Sequence, residues 1–223
     1  MIGTIVNTGT ILAGTLIGSA AQKGIKPKYQ DALFTAMGLS AAGIGINSIV
    51  QNMPKSEYPV LFIISLAIGS FLGTALNIDG HFKALAGKIG SGQFSKGLST
   101  AILLFCIGTL SILGPIESAL NGNHTFLFTN AALDFVTSMV LASTYGIGIA
   151  LAAPVLFIWQ GAIYFGAGAL SGFLTDALMT EISVVGGFLI AASGISILEI
   201  KECKTMNMLP ALLVPMVWFF IVG

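Results

Sequence analysis

The feature that most constrains this chain is its succession of long apolar runs. A helix needs about 20 mostly apolar residues to cross the hydrocarbon core of a bilayer, and in lipid only helices and closed barrels satisfy their own backbone groups. Eight runs meet the helical requirement: Ile2 to Ala21, Ala32 to Val50, Tyr58 to Ile78, Leu98 to Leu120, Phe126 to Tyr145, Ile147 to Leu170, Ile182 to Leu198 and Met206 to Val222. Turn or charge signals separate them. Only Tyr145-Gly146-Ile147-Gly148 divides the fifth from the sixth, so seven spans is the other reading. The predicted fold is all-α, a polytopic transmembrane helix bundle of about eight helices in a single integral membrane domain, residues 1–223.

Composition agrees with that class. The chain is 55% hydrophobic and 8% charged, against about 25% charged for a soluble domain. Nine basic and nine acidic residues balance, which removes the electrostatic case for a nucleic-acid partner. Every basic residue is a Lys, so bidentate guanidinium clamps on phosphate or carboxylate are excluded. The opening MIGTIVNTGTILAGTLIG has no basic residue before its apolar run and reads as a first membrane helix rather than a cleaved signal. Cys106 and Cys203 belong to no CxxC pair, and His81 and His124 fall in loops on opposite sides, so no metal site or cofactor is expected.

Lysine placement sets the expected orientation. With eight spans, Lys23, Lys26, Lys28, Lys83, Lys88, Lys96, Lys201 and Lys204 share one side and Lys55 stands alone on the other. The positive-inside rule puts the Lys-rich side in the cytoplasm and both termini outside. Seven spans would weaken that asymmetry. The cytoplasmic loop 79–97 contains HFKALAGKIG, whose Phe82, Leu85 and Ile89 can share one face; a short interfacial helix and a solvated linker are both open.

An internal repeat is also readable. The stretch opening at Asp31 (DALFTAMGLSAAGIGI) aligns without a gap on the one opening at Asp176 (DALMTEISVVGGFLIA). Both acids suit helix N-caps. Under the eight-span count the two helices run in opposite directions, which suggests an inverted repeat of helices 1–3 and 6–8, as in many transporters. Chance recurrence of small residues is the competing reading. The 28 glycines cluster within helices, where they allow close backbone packing or, more sharply, a path for solute; a homo-oligomer fits them too.

The chemistry concentrates between Cys106 and Gly148. Asp134 falls near the middle of the fifth segment, and a carboxylate there costs about 2.5–3.5 kcal/mol to insert. Asn130 and Ser138 lie one turn to either side, on the same face. That stripe reads as an ion- or proton-binding group with lesser contacts, or as hydrogen-bonded glue between helices. Glu117 follows Gly114-Pro115, a pair able to break or kink the fourth helix, and lines the outer mouth of a path or sits at the external interface. Gln160 and Asn7 are further buried polar groups that bind solute or bond a neighbouring helix. Glu181 reads as a first-turn acid of the seventh helix. No nucleophile–base pair, phosphate loop or hydrolytic acid pair is present, so no enzyme is expected.

The segments MIGTIVNTGTILAGTLIG, LLFCIGTLSILGPIESALNG, LDFVTSMVLASTYGIGIALAAPVLFIWQG and NMLPALLVP, in that order, resemble the DUF554 family, the YqgA-like bacterial membrane proteins. The resemblance covers nearly the whole chain and implies a multi-pass protein of the bacterial inner membrane. Residue by residue it puts weight on Cys106, Gly108, Gly114, Asp134, Gly146, Gly148, Gln160 and Gly161. The chain departs from the family pattern at Asn130, where a Lys is expected, and at Glu117, where an amide or a variable residue is expected. The functional expectation is a small-solute or ion transporter or channel, coupled to protons or cations through Asp134. The alternative is a non-transporting scaffold or regulatory subunit. The expected partners are the lipid bilayer and a small solute or cation.

Overall fold

The computed structural model describes residues 1–21, 25–87, 98, 100–102, 104–106, 109–169 and 175–222. The described residues are helical and contain no strand. The helices are α1 (Ile2–Ala20), α2 (Pro27–Asn52), α3 (Leu61–Ala75), α4 (Ile78–Gly87), α5 (Thr109–Leu120), α6 (Thr125–Tyr145), α7 (Ala152–Ala169), α8 (Asp176–Ile197), α9 (Thr205–Met208) and α10 (Leu213–Val222), with 3₁₀ turns at Met53–Lys55, Ile147–Leu151 and Leu209–Leu212. Among the described residues, seven segments are long and apolar enough to cross a membrane: Ile2–Ala20, Pro27–Lys55, Thr100–Leu120, Thr125–Tyr145, Ile147–Ala169, Asp176–Ile197 and Thr205–Val222. α3, with 15 residues, is a shorter apolar helix.

Local chemistry explains the boundaries. Pro27 opens α2 at a position where its missing N–H costs nothing. The expected division after Tyr145 is present, because Gly146 stands at φ +84°, ψ −173°, a conformation closed to residues with a Cβ. α8 starts at Asp176, with Thr175 accepting from the Leu178 amide as its N-cap. The apolar run alone had placed that start at Ile182. The two aspartates expected as N-caps are therefore not caps: Asp176 is the first helical residue, and Asp31 lies beyond the first turn of α2. α4 covers the start of loop 79–97, whose remainder, with Lys88, Ile89 and Lys96, lies outside the described residues, as do Lys23 and Gly108.

The chain forms two compact units, residues 1–34 with 82–169 and residues 35–81 with 170–223. In the first, α1 and α6 make the most extensive helix pair. Gly3 lies under Leu127, Gly14 under Phe135 and Ser138, and Gly18 under Met139, so the two helices run parallel. α7 runs against α1: Gly161 faces Met1, while Ile11 shares a core with Ile149, Ala152 and Leu156. α1 is also polar inside and apolar outside. It exposes Ile5, Leu12 and Leu16 and buries Thr4, Asn7 and Thr15, a pattern that only an apolar surrounding medium favours.

In the second unit α2 and α8 cross antiparallel on small residues. Gly38 meets Leu198, Ala42 meets Gly194, and Gly45 meets Gly187 and Ala191, while the Ser48 hydroxyl donates to the Ser183 carbonyl at 3.1 Å. α3 runs against the last span in the same way, with Gly69 on Ala211 and Gly73 on Asn207. Phe62 stacks on Phe188 at 4.7 Å.

α3 is too short to match the others: its 15 residues cover about 22 Å, short of the ~30 Å core.

Glycine packing makes a direct prediction. A Cβ at Gly194 would press into the Ala42 backbone nitrogen, whereas one at Gly43 would meet nothing within 4 Å. Gly194→Val is expected to cost about 1–3 kcal/mol of stability, and Gly43→Ala to be neutral or slightly stabilising. Thermal unfolding of the two variants in one detergent checks both.

Candidate functional site

Asp134 stands halfway along α6, 4% exposed. Asn130, one turn earlier on the same face, donates from Nδ2 to Asp134 Oδ2 at 3.0 Å. Asn7 of α1 faces the carboxyl across the α1–α6 contact. It is fully buried, its side chain within hydrogen-bonding reach of that carboxyl. The hydroxyl of Thr4, one turn before Asn7 on the same face, is fully buried and unpartnered among the described residues, as is that of Thr15. Cys106, earlier in the Thr100–Leu120 span, lies within electrostatic reach of Asp134.

The remaining expected site residues divide. Ser138 shares the face of Asp134, but its hydroxyl donates to the Phe135 carbonyl of its own helix at 3.0 Å and packs beneath Gly14. Gln160 belongs to a separate polar pair, donating from Nε2 to the Ser111 hydroxyl at 3.1 Å with its Oε1 unpartnered. Glu117 is buried in the last turn of α5 and accepts from Asn121 Nδ2 at 2.9 Å.

Two expectations are corrected. Gly114-Pro115 does not break the helix, because α5 continues through both residues. Gly114 instead gives α6 close access, since a Cβ there would press on Leu127. Pro115 acts only locally, by depriving the Ser111 carbonyl of its helical N–H donor. Glu181 is not a first-turn acid, because α8 begins at Asp176. It is 2% exposed, and its Oε1 accepts from the Ser56 hydroxyl at 2.7 Å and the Tyr58 amide at 3.0 Å, fastening the approach to α3. Asn207 does the same for the start of α4, its Oδ1 accepting from the Asp79 amide at 2.8 Å. The helical period of Thr4 with Asn7 was a usable signal that sequence reading did not exploit. Nothing in the sequence pointed to Ser111 as the partner of Gln160.

Among the described residues no group of three His, Cys, Asp or Glu side chains could hold a metal ion. The cluster is one acid between two amides, Asn7 and Asn130.

Comparison with known proteins covers this whole arrangement. Residues 2–220 match the family described as "Protein of unknown function (DUF554)". The chain belongs to the DUF554 family. One DUF554 relative is the "Uncharacterized membrane protein YdfK" of Bacillus subtilis (strain 168), 54% identical over 222 residues, covering 100% of this chain and 97% of the relative. A second is the "Uncharacterized protein YqgA" of Escherichia coli (strain K12), 27% identical over 226 residues, covering 97% and 95% of the two chains. No solved structure matches. With its apolar spans, this DUF554 chain is a membrane protein in contact with the lipid bilayer.

The Gln160–Ser111 pair yields a measurable coupling. Ser111→Ala is expected to destabilise the protein by about 1 kcal/mol but to cost little in a Gln160→Leu background. A double-mutant cycle on thermal unfolding should return roughly 0.6 kcal/mol; a value near zero would show that the amide gains nothing from the hydroxyl.

Proposed function

We propose that this chain is a transporter of the bacterial inner membrane that moves a small solute or ion, with Asp134 as the group that binds and releases the coupling proton or cation. The observation that carries the reading is the buried Asn7–Asp134–Asn130 cluster at mid-helix. The four spans of its unit contain no Lys or Arg to neutralise the acid permanently. A fixed ion pair would serve as glue, whereas a carboxyl without a fixed countercharge is free to exchange one.

The helix register supports an inverted repeat. The shift that lays Asp31 on Asp176 also lays Ile2 on Ile147, Asn52 on Ile197 and Leu61 on Met206, matching these three termini to their counterparts within about a residue, while the other three differ by two to four residues. The same shift lays Thr4, Asn7, Ile11 and Thr15 on Ile149, Ala152, Leu156 and Gln160, and all eight have 0% exposure. It also exchanges two packing contacts, Ala42 on Gly194 and Ile49 on Gly187. Each helix packs antiparallel on its counterpart: α1 on α7, α2 on α8 and α3 on α9 and its continuation. Opposed halves of this kind suit alternating access around a central site. In this reading the Lys-rich loops face the cytoplasm and both termini face outward.

The deciding experiment uses proteoliposomes loaded with a pH-sensitive dye, under an imposed potassium diffusion potential, with a panel of cations and small metabolites outside. Asp134→Asn should reduce a solute-dependent proton or cation flux by at least about tenfold while eluting as a folded protein. Undiminished flux in that variant would remove Asp134 from the mechanism. A folded wild type with no flux across the panel would favour a scaffold or regulatory subunit.

Orientation is tested separately. With single cysteines at Glu57 and Asp79, in a chain with Cys106 and Cys203 replaced, a membrane-impermeant maleimide should label the first in intact cells and the second only in inverted membrane vesicles. Labelling of both from one side would mean that α3 does not cross.

A further inference from the structure

The buried polar groups of the first unit are unevenly placed about Asp134, and that asymmetry gives a direction of approach. We infer, resting on the transport reading above, that water reaches Asp134 from the His124 end of α6, along the seam where α5, α6 and α7 meet, with Ser111 and Gln160 lining the route and Leu127 closing it.

Three contacts set the register of α5 against α6. The Ser118 hydroxyl and His124 Nδ1 lie 2.9 Å apart, a Cβ on Gly114 would meet Leu127, and Cys106 is within electrostatic reach of Asp134. The two helices therefore run antiparallel, and Ser111 stands level with Asn130, one turn from Asp134. Ser111, Gly114 and Ser118 share one face of α5.

On the His124 side of Asp134 the interior is polar. Ser111, Ser118, Glu117, Asn130 and Gln160 are all buried there. Two of the acceptors lack an internal donor. Gln160 Oε1 has no partner among the described residues, although Nε2 of the same amide donates to Ser111, and Pro115 denies the Ser111 carbonyl its helical N–H. A buried acceptor without a donor is costly, and water, which donates twice, suits two acceptors held by one residue pair. On the other side of Asp134 the interior is apolar. Leu98, Phe105, Ala142, Ile149 and Ala152 pack into one core, and the Ser138 hydroxyl bonds back to its own helix. Thr15 is the buried polar exception.

Leu127 divides the polar side into two levels, Ser118 with His124 beyond it and Ser111 with Asn130 within. It is fully buried, and Gly3 of α1 and Gly114 of α5 make its seat, since a Cβ at either would meet it. α7 leaves slack at this end: a Cβ on buried Gly161 would meet nothing nearer than Met1 Cε, at 3.8 Å. One apolar side chain thus separates the outer polar level from the level next to the acid, whereas a whole core lies on the opposite side.

The test is labelling by a positively charged, membrane-impermeant methanethiosulfonate of single-cysteine chains lacking Cys106 and Cys203, in intact cells and in inverted membrane vesicles. Asn123→Cys, in the exposed turn before α6, marks the side of the His124 end. Ser111→Cys should react from that same side. Adding Leu127→Ala should raise its rate by at least about tenfold, while adding Ile149→Ala, in the apolar core, should leave the rate unchanged. If Leu127→Ala does not fold, Leu127→Val should give a smaller rise in the same direction. Reaction of Ser111→Cys only from the opposite side, or a rate that substitution of Leu127 does not change, would overturn the route. Either result leaves an Asp134-dependent flux in proteoliposomes standing, so the route and the transport reading fail separately.

Discussion

The close parallel contact of α1 with α6 is the interaction on which the candidate site depends. Lipid gives apolar helices no hydrophobic reason to associate, so contact rests on van der Waals packing and buried hydrogen bonds. Both operate here. Gly3, Gly14 and Gly18 remove the side chains that would hold α1 away, since a Cβ at any of the three would meet Leu127, Phe135 or Met139. The approach they allow brings Asn7 to Asp134. Scaffold and chemistry are therefore the same feature: enlarging Gly14 would not only loosen a helix pair but would also withdraw the amide from the acid.

The second unit uses the same packing principle without a mid-helix acid. α2 on α8 and α3 on the last span meet through glycine and alanine, and two buried polar side chains there, Glu181 and Asn207, fasten loops. Glu181 holds the chain entering α3 and Asn207 holds the chain leaving it. Two buried carboxyls in one protein thus have different environments. Glu181 is satisfied by a hydroxyl and a backbone amide. Asp134 accepts from Asn130 and faces the Asn7 amide across the helix contact.

Periodicity and length revealed much of this architecture. The apolar runs gave the spans to within a few residues, the Tyr145–Gly148 division was visible as glycine punctuation, and Asp134 with Asn130 was readable as one helical face. What could not be read depended on partners distant in sequence. Asn7 was identified as polar and buried, but its position opposite Asp134 follows from which glycines let α1 approach. Gln160 had no foreseeable partner, because Ser111 reaches it through packing of α5 on α7. Glu181 was misplaced because hydrophobicity begins at Ile182 while the helix begins at its Thr175 cap. Gly114-Pro115 was misread because a proline removes one hydrogen bond, a loss that helices packed against neighbours tolerate.

The proposed repeat separates the frame from the chemistry. If helices 1–3 and 6–8 follow one plan, the face that α1 presents is the face that the Ile147–Ala169 span presents, residue for residue in burial. The occupants differ. Thr4, Asn7 and Thr15 on the first copy stand where Ile149, Ala152 and Gln160 stand on the second. A frame that keeps its buried positions while exchanging two of three polar occupants for apolar ones does not require those polar groups for packing, since the second copy packs without them. Their presence on α1 therefore needs another cause. The acid that α6 brings to that face supplies it, and α6 lies outside the repeated triplets. In the proposed repeat the helices share one frame, and the asymmetry in their side chains places the polar groups on the copy that faces Asp134.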